Sequence, residues 1–341
     1  MDFAMVIIAR HDTELNNPWE PLMRRDVFLK SLAAAALLGG ASMQARANAT
    51  LKMMIPANPG GGWDTTGREL GKALLDAKVA DTVQYENKGG AAGALGLAQF
   101  VNSAKGDPNS MIITGAVMVG GIITSKSAMG MEKITPIARL TSEYNVFVVP
   151  ADSPLKTMKD VVAQLKKDPG SVKWAGGSRG STEHICASMM ATKTGVDPKK
   201  VNYVAFRGGG EAIAAILGGN VTVGGSGYSE FSEHIKSGKM RPIGVTSDKR
   251  LPGIDIPTLK EQGYDVVLGN WRAVYGAPDI TAAQRAALTE MVVKASKSKA
   301  WADALAKNNW TPALLTGKTF DDFVDDEFAR LRGIMHLSGM V

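Results

Sequence analysis

The stretch MMIPANPGGGWDTTGRELGKALL, residues 53–75, decides how the rest of the chain is read. Its start has the character of a short buried strand, Pro56 to Gly62 of a turn, and a helix begins near Asp64 or Thr65, where Leu70, Leu74 and Leu75 are spaced to form an apolar face. Gly60, Gly61 and Gly62 let backbone N–H groups turn inward without Cβ obstruction, and the first helical turn adds unpaired donors at the positive end of the helix dipole. Such a turn can hold a carboxylate or a phosphate. An ordinary βα turn would also need glycine for its dihedrals, so recurrence elsewhere in the chain must decide.

The pattern recurs. VKWAGG leads into GGSRGSTEH and a helix through Met190, with Ser181 and Thr182 as capping candidates. VNYVAF leads into Arg207-Gly208-Gly209-Gly210-Glu211 and the helix EAIAAIL, and VTVGGSG leads into YSEFSEHIKSG. Between these and the opening stretch, VQYEN, a Gly- and Ala-rich helix over 91–102 and the strand MIITG ending at Gly115 keep strand and helix alternating. Alternation predicts an α/β fold with helices on the faces of its sheets, and glycine loops gathered at the carboxyl ends of the strands. NVFVVPADSP, residues 145–154, and VVLGNWRAVYGAP, residues 266–278, read as two crossings between domains; beyond them, 282–307 and 320–335 read as helical. The division expected is residues 50–148 plus 272–341 for a discontinuous first lobe and 149–271 for a second, with opposed glycine loops across a cleft. Two connections of this kind are compatible with hinge closure.

The candidate site residues follow from those loops. The first loop offers Asn58, Pro59, Gly60, Gly61, Gly62, Trp63, Asp64 and Thr65, with Gly115 at the end of a neighbouring strand. The second offers Gly177, Ser178, Arg179, Gly180 and Ser181, with His184 one turn into the helix; Arg207, Gly208, Gly209 and Ser226 come from the last two. Asp64 is a candidate helix cap as well as a ligand contact. Arg179 and Arg207 could neutralise carboxylates, and Arg272 could brace the second crossing.

At 341 residues, 45% hydrophobic and 21% charged, the chain can build about two domains. Arg24, Arg25 and Lys30 precede an apolar run from Leu32 to Met43 and the small-residue sites ending at Ala47 and Ala49, which is the layout of a cleaved export signal. Met23 is the expected start, with 1–22 an upstream segment; the paired arginines leave twin-arginine and Sec export both open. Cleavage removes acidic and basic residues in equal number, so the net charge of +6 is kept. Scattered lysines and arginines, with no basic run interleaved with aromatics, exclude a nucleic-acid reading. One cysteine, Cys186, and four dispersed histidines predict neither a disulfide nor a metal site. No cofactor is implied, because Arg68 and Glu69 stand where a phosphate-binding P-loop needs lysine and a hydroxyl.

PANPGGGWDTTGR, ENKGGAAG, GGSRGSTEH, RGGGEAIAAILGGNVTVGGSGYSEF and PTLKEQGYDVVLGNWRAV, in that order from about residue 50 to the C-terminus, resemble the periplasmic substrate-binding proteins of tripartite tricarboxylate transporters, the TctC or Bug-type family. The resemblance implies a two-lobed Venus-flytrap fold of type II-like design, each lobe a mixed sheet flanked by helices. It implies a periplasmic, monomeric, non-enzymatic receptor that delivers a small carboxylate to membrane transporter subunits. It also implies that backbone groups and ordered waters at 58–65 and 177–181 hold the ligand carboxylate. GGWD and NWRAV look closest to the tricarboxylate branch, which puts citrate first.

One catalytic alternative remains. Gly176-Gly177-Ser178-Arg179-Gly180 satisfies G-x-S-x-G between strand and helix, the setting of an esterase nucleophile. Ser178 would then need Asp265 or Asp279 as acid and His336 as base, and His336 falls in a charged C-terminal helix.

Overall fold

A computed structural model describes residues 50–207 and 209–341. The export signal and upstream segment expected over 1–49, and Gly208, lie outside the described residues. The strands are β1 (Thr50–Ile55), β2 (Thr82–Asn87), β3 (Ser110–Gly115), β4 (Thr135–Pro150), β5 (Lys173–Gly176), β6 (Asn202–Ala205), β7 (Val223–Gly227), β8 (Met240–Val245), β9 (Gly269–Gly276) and β10 (Thr311–Thr316). The helices are α1 (Gly62–Asp76), α2 (Ala94–Ser103), α3 (Ala116–Ser125), α4 (Met158–Lys167), α5 (Thr182–Lys193), α6 (Gly209–Leu217), α7 (Tyr228–Lys236), α8 (Ala282–Ser296), α9 (Lys299–Asn308) and α10 (Gly317–Leu337). Among the described residues no helix is long and apolar enough to cross a membrane.

β4 organises the molecule. Its first half, Thr135 to Tyr144, lies between β9 and β10, and its second half, Asn145 to Pro150, lies between β7 and β8, all four antiparallel to it. The first sheet therefore runs β2-β1-β3-β9-β4-β10 and the second β8-β4-β7-β5-β6. Parallel pairing is confined to β1 with β2 and β3, and to β5 with β6 and β7, so both sheets are mixed, as expected. Pairing changes hands between Tyr144 and Asn145, a few residues before the crossing expected at Val148. Thr246 stitches the two passages side by side: its hydroxyl accepts from the Asn145 amide at 3.1 Å and donates to the Leu268 carbonyl at 2.9 Å.

Burial explains the strand types. β3 is buried at every position and reads SMIITG, as an interior strand must, whereas edge strand β2 has no fully buried residue. α1 packs Leu70, Ala73 and Leu74 inward, and Gly67 and Gly71 on the same helix let Ile55 and Tyr85 approach its backbone. α4 and α8 start with reciprocal capping boxes, Thr157 with Asp160 and Thr281 with Gln284. The C-terminal region departs from expectation at one place, because β10 interrupts the helices and adds an edge to the first sheet beside β4.

Candidate functional site

The loop between β1 and α1 is fixed from below and left open above. Asp64 is not the helix cap; it lies in the first turn of α1, where its carboxylate accepts from the Gly60 amide at 3.1 Å, from Asn87 at 3.0 Å and from Arg68 at 3.0 Å. Burial opposes ionisation of Asp64, but these donors outweigh it and hold the carboxyl below its ordinary range. The cap position belongs to Gly61, which has extended backbone and no side chain to offer. The positive end of α1 is consequently free of any side-chain cap and opens on a cavity of about 100 Å³.

That cavity sits between the two sheets. From the first come Gly61, Gly62, Trp63 and Arg272, and from the second Gly177, Ser178, Ser181, Gly209, Ser226 and Glu230. Contact across it is close: a Cβ on Gly61 would stand 3.5 Å from the Gly209 amide nitrogen, and Asn58 Nδ2 donates to Glu211 at 3.5 Å. Hollows of about 310 and 460 Å³ elsewhere are wider, but no pair of glycine loops converges on either.

The loop before α5 is built differently. Gly180, with φ of +82°, gives its N–H to His184 Nδ1 at 3.0 Å, the Ser181 amide bonds the Ser178 carbonyl at 2.9 Å, and the Ser181 hydroxyl caps the helix by accepting from the His184 amide. Several of its amides are therefore spent within the loop. His184 stacks on Tyr203 with ring centroids 4.2 Å apart, and burial together with nearby Arg179 lowers its pKa to about 4, so the ring is a neutral brace.

A third wall comes from residues 90–93, which all have positive φ: Gly90 at 127°, Ala91 at 48°, Ala92 at 53° and Gly93 at 89°. Left-handed alanines cost roughly 1–2 kcal/mol each. They bring Ala92 against Gly121 and Gly93 under the Trp63 ring, where no larger residue would fit.

Behind the cavity lies a buried charge cluster. Arg272 is 2% exposed and pairs with Glu143, itself 3% exposed, while its Nη1 donates to Thr66 at 3.4 Å and its Nη2 lies 3.6 Å from Glu230. Glu143 also accepts from Trp310 Nε1 and from Ser229, each at 3.1 Å, so one carboxylate gathers groups from both sheets. Burial, aggravated by Glu143, pushes the Glu230 carboxyl up to about 7 despite Arg272 and the Ser226 hydroxyl, and burial likewise raises Glu183.

The sequence matches the family described as tripartite tricarboxylate transporter family receptor over residues 68–340. The chain belongs to this family. It is a solute-binding receptor rather than an enzyme. BugT of Bordetella pertussis is 27% identical over 319 residues, covering 92% of this chain and 95% of BugT. The structure of the periplasmic binding protein BugD superposes with a TM-score of 0.75 at 22% identity, covering 85% of this receptor and 98% of BugD. MatC from Rhodopseudomonas palustris with bound malate superposes with a TM-score of 0.73 at 20% identity, covering 84% and 98%. These neighbours share the two-lobed periplasmic binding fold.

Of the residues singled out in the receptor sequence, Gly61, Gly62, Trp63, Gly177, Ser178, Ser181, Arg207, Gly209 and Ser226 line one cavity. Others stand behind it. Asn58 reaches Glu211, Pro59 and Gly60 are exposed, Asp64 and Thr65 hold the loop, and Gly180 and His184 brace the second loop. Arg179 is exposed and away from the lining, and Gly115 lacks a side chain because the Trp271 carbonyl of β9 occupies that space. The esterase arrangement does not exist: Asp265 pairs with Lys193, Asp279 pairs with Lys105, and His336 is exposed at the last turn of α10. Sequence reasoning missed Glu183, Glu230 and Asn270 on the lining. Acids in the first turn of a helix read as dipole partners, and only the fold shows them turned inward.

Proposed function

We propose that this receptor works in the periplasm as a monomer, binds a carboxylated metabolite in the cavity between its lobes, and delivers it to the membrane subunits of a tripartite transporter. The observation that carries this reading is the start of α1, which has no side-chain cap and whose Gly61 and Gly62 line the cavity between the sheets. The lobes are divided where β4 changes partners, 50–144 with 269–341 on one side and 145–268 on the other. Malate in the neighbouring structure supports the ligand class. Citrate-like tricarboxylates come first from the sequence motifs, with C4 dicarboxylates and aromatic carboxylates behind them.

Calorimetric titration of solute-free protein with citrate, malate and benzoate tests the class. Saturable binding of any of them, without turnover, is expected. Absence of binding to all three, together with an unchanged scattering radius, would remove the reading.

A further inference from the structure

Glu230 stands where an incoming carboxylate would go. Its side chain, 12% exposed, reaches from α7 in the second lobe to the start of α1 in the first: a Cβ on Gly62 would stand 2.7 Å from its Oε1, and a Cβ on Gly209 2.9 Å from its Oε2. The Ser226 hydroxyl donates to Oε2 at 2.7 Å and fixes the carboxyl in place. Oε1 lies 3.6 Å from Arg272 Nη2, the same nitrogen that pairs with Glu143. The guanidinium and the positive end of α1, which would favour a ligand anion here, thus already face a carboxyl group of the chain itself.

Charge at this wall is also out of balance. Among the described residues Arg272 is the one buried arginine or lysine, and Glu143, Glu183 and Glu230 all act on it or on one another. A ligand carboxylate beside an ionised Glu230 would add a like charge to a buried site, which is strongly disfavoured unless one of the two is neutralised. We propose that Glu230 is a resident carboxylate that competes with the ligand for the start of α1 and Arg272, so that a ligand carboxylate enters as Glu230 takes up a proton from solvent. This deepens the receptor reading and rests on it. The groups facing Glu230 are Glu143 and Glu183, which are negative, Arg272, which is positive, and the Ser226 hydroxyl, which donates. Burial and Glu143 already raise its pKa to about 7, and a ligand anion would raise it further. A complex that holds a proton more tightly than the free receptor loses affinity as pH rises above the free receptor's own value.

The test titrates malate, benzoate and citrate, all fully ionised over the range used, into solute-free protein from pH 7.5 to 9. Affinity should fall by up to about tenfold per pH unit, and calorimetry at pH 8 in buffers of different ionisation enthalpy should count about one proton taken up. Glu230→Gln should bind at least tenfold more tightly than wild type at pH 8 and lose the pH dependence. Binding to wild-type protein with a level pH profile and no proton uptake would overturn the competition and leave the receptor standing. Proton uptake that persists in folded Glu230→Gln would overturn the assignment to this side chain. Weaker binding at every pH in that variant would overturn it too, by showing the carboxyl to be structural. Failure of all three compounds to bind at any pH would remove the carboxylate reading and this inference together.

Discussion

Gly62 and Arg272 are packed backbone against guanidinium: a Cβ at position 62 would overlap Arg272 Nη2 and stand 2.7 Å from Glu230 Oε1. The middle of the glycine loop is thereby tied to the charge cluster behind the cavity, and the third glycine is required by an arginine far along the chain. Gly61, with φ of −100°, could accept a side chain on conformational grounds.

Gly62→Ala should therefore displace Arg272, lower stability by about 1–3 kcal/mol through overpacking, and weaken ligand binding at least tenfold. Gly210→Ala, where no atom lies within 4 Å of the added Cβ, is the control and should leave binding unchanged. Thermal melts and calorimetry on both variants check this.

Arg272→Met removes the cation and leaves Glu143 buried. The expected destabilisation is about 3–5 kcal/mol, and Arg272→Met with Glu143→Gln should recover a large part of it, because neither charge is then stranded. Denaturant unfolding of the two single variants and the double variant measures the coupling. Equal additive losses would show that the pair contributes nothing as a pair.

Much of this site could be read in advance and some could not, for physical reasons tied to particular residues. Strand, glycine loop and helix start are local events, so the loops at 60–62, 177–180 and 207–210 were visible in sequence. β10 was not: TPALLT is short, partly exposed and begins beside a proline, so it carries neither an apolar run nor clean alternation. The first half of β4 was missed because Arg139 and Glu143 interrupt its apolar pattern, and only the fold supplies their partners. Glu143 is matched by Arg272, a pairing that no local spacing encodes.

Titration of Glu230 and of His184 should pull stability in opposite directions. Glu230 has its pKa raised from 4.5 to about 7, so the folded chain binds the proton more tightly; this stabilises fully below pH 4.5 and is lost as pH rises towards 7, by up to about 3 kcal/mol. Glu143, Arg272, Glu183 and the Ser226 hydroxyl are the groups facing it. His184 is depressed from 6.5 to about 4, so its contribution is present above pH 6.5 and lost as pH falls to 4. Relative to wild type, Glu230→Gln should gain stability as pH rises from 4.5 to 7, and His184→Gln should gain as pH falls over nearly the same range. Melting temperatures across pH 4–8 read both; parallel curves would contradict the assignment.

Ala91, exposed with φ of 48°, adopts a conformation that glycine takes freely. Ala91→Gly should stabilise the receptor by up to about 1 kcal/mol. A lower melting temperature would show that the turn over 90–93 is held by contacts of the Ala91 methyl.

Ser178→Ala should reduce affinity by no more than one hydrogen bond, about 0.5–1.5 kcal/mol, or roughly two- to tenfold. Ser178 lines the cavity, while the turn depends on its backbone carbonyl. Loss of all binding in a folded variant would give this side chain a larger part than its surroundings suggest.

The position of β4 also sets the order in which the chain can fold. All four of its partners, β7, β8, β9 and β10, follow it in sequence, so the strand at the centre of both sheets stays unpaired until at least residue 223 has been made. β3 likewise waits for β9 on its inner side. Ladders between partners so distant in sequence form slowly, because a long loop must close before any contact rewards it. A nascent chain that has not yet reached residue 269 has neither Arg272 nor the inner neighbour of β3. Neither sheet can be completed until the last third of the chain is available, so the two halves of the cavity are finished together rather than one after the other.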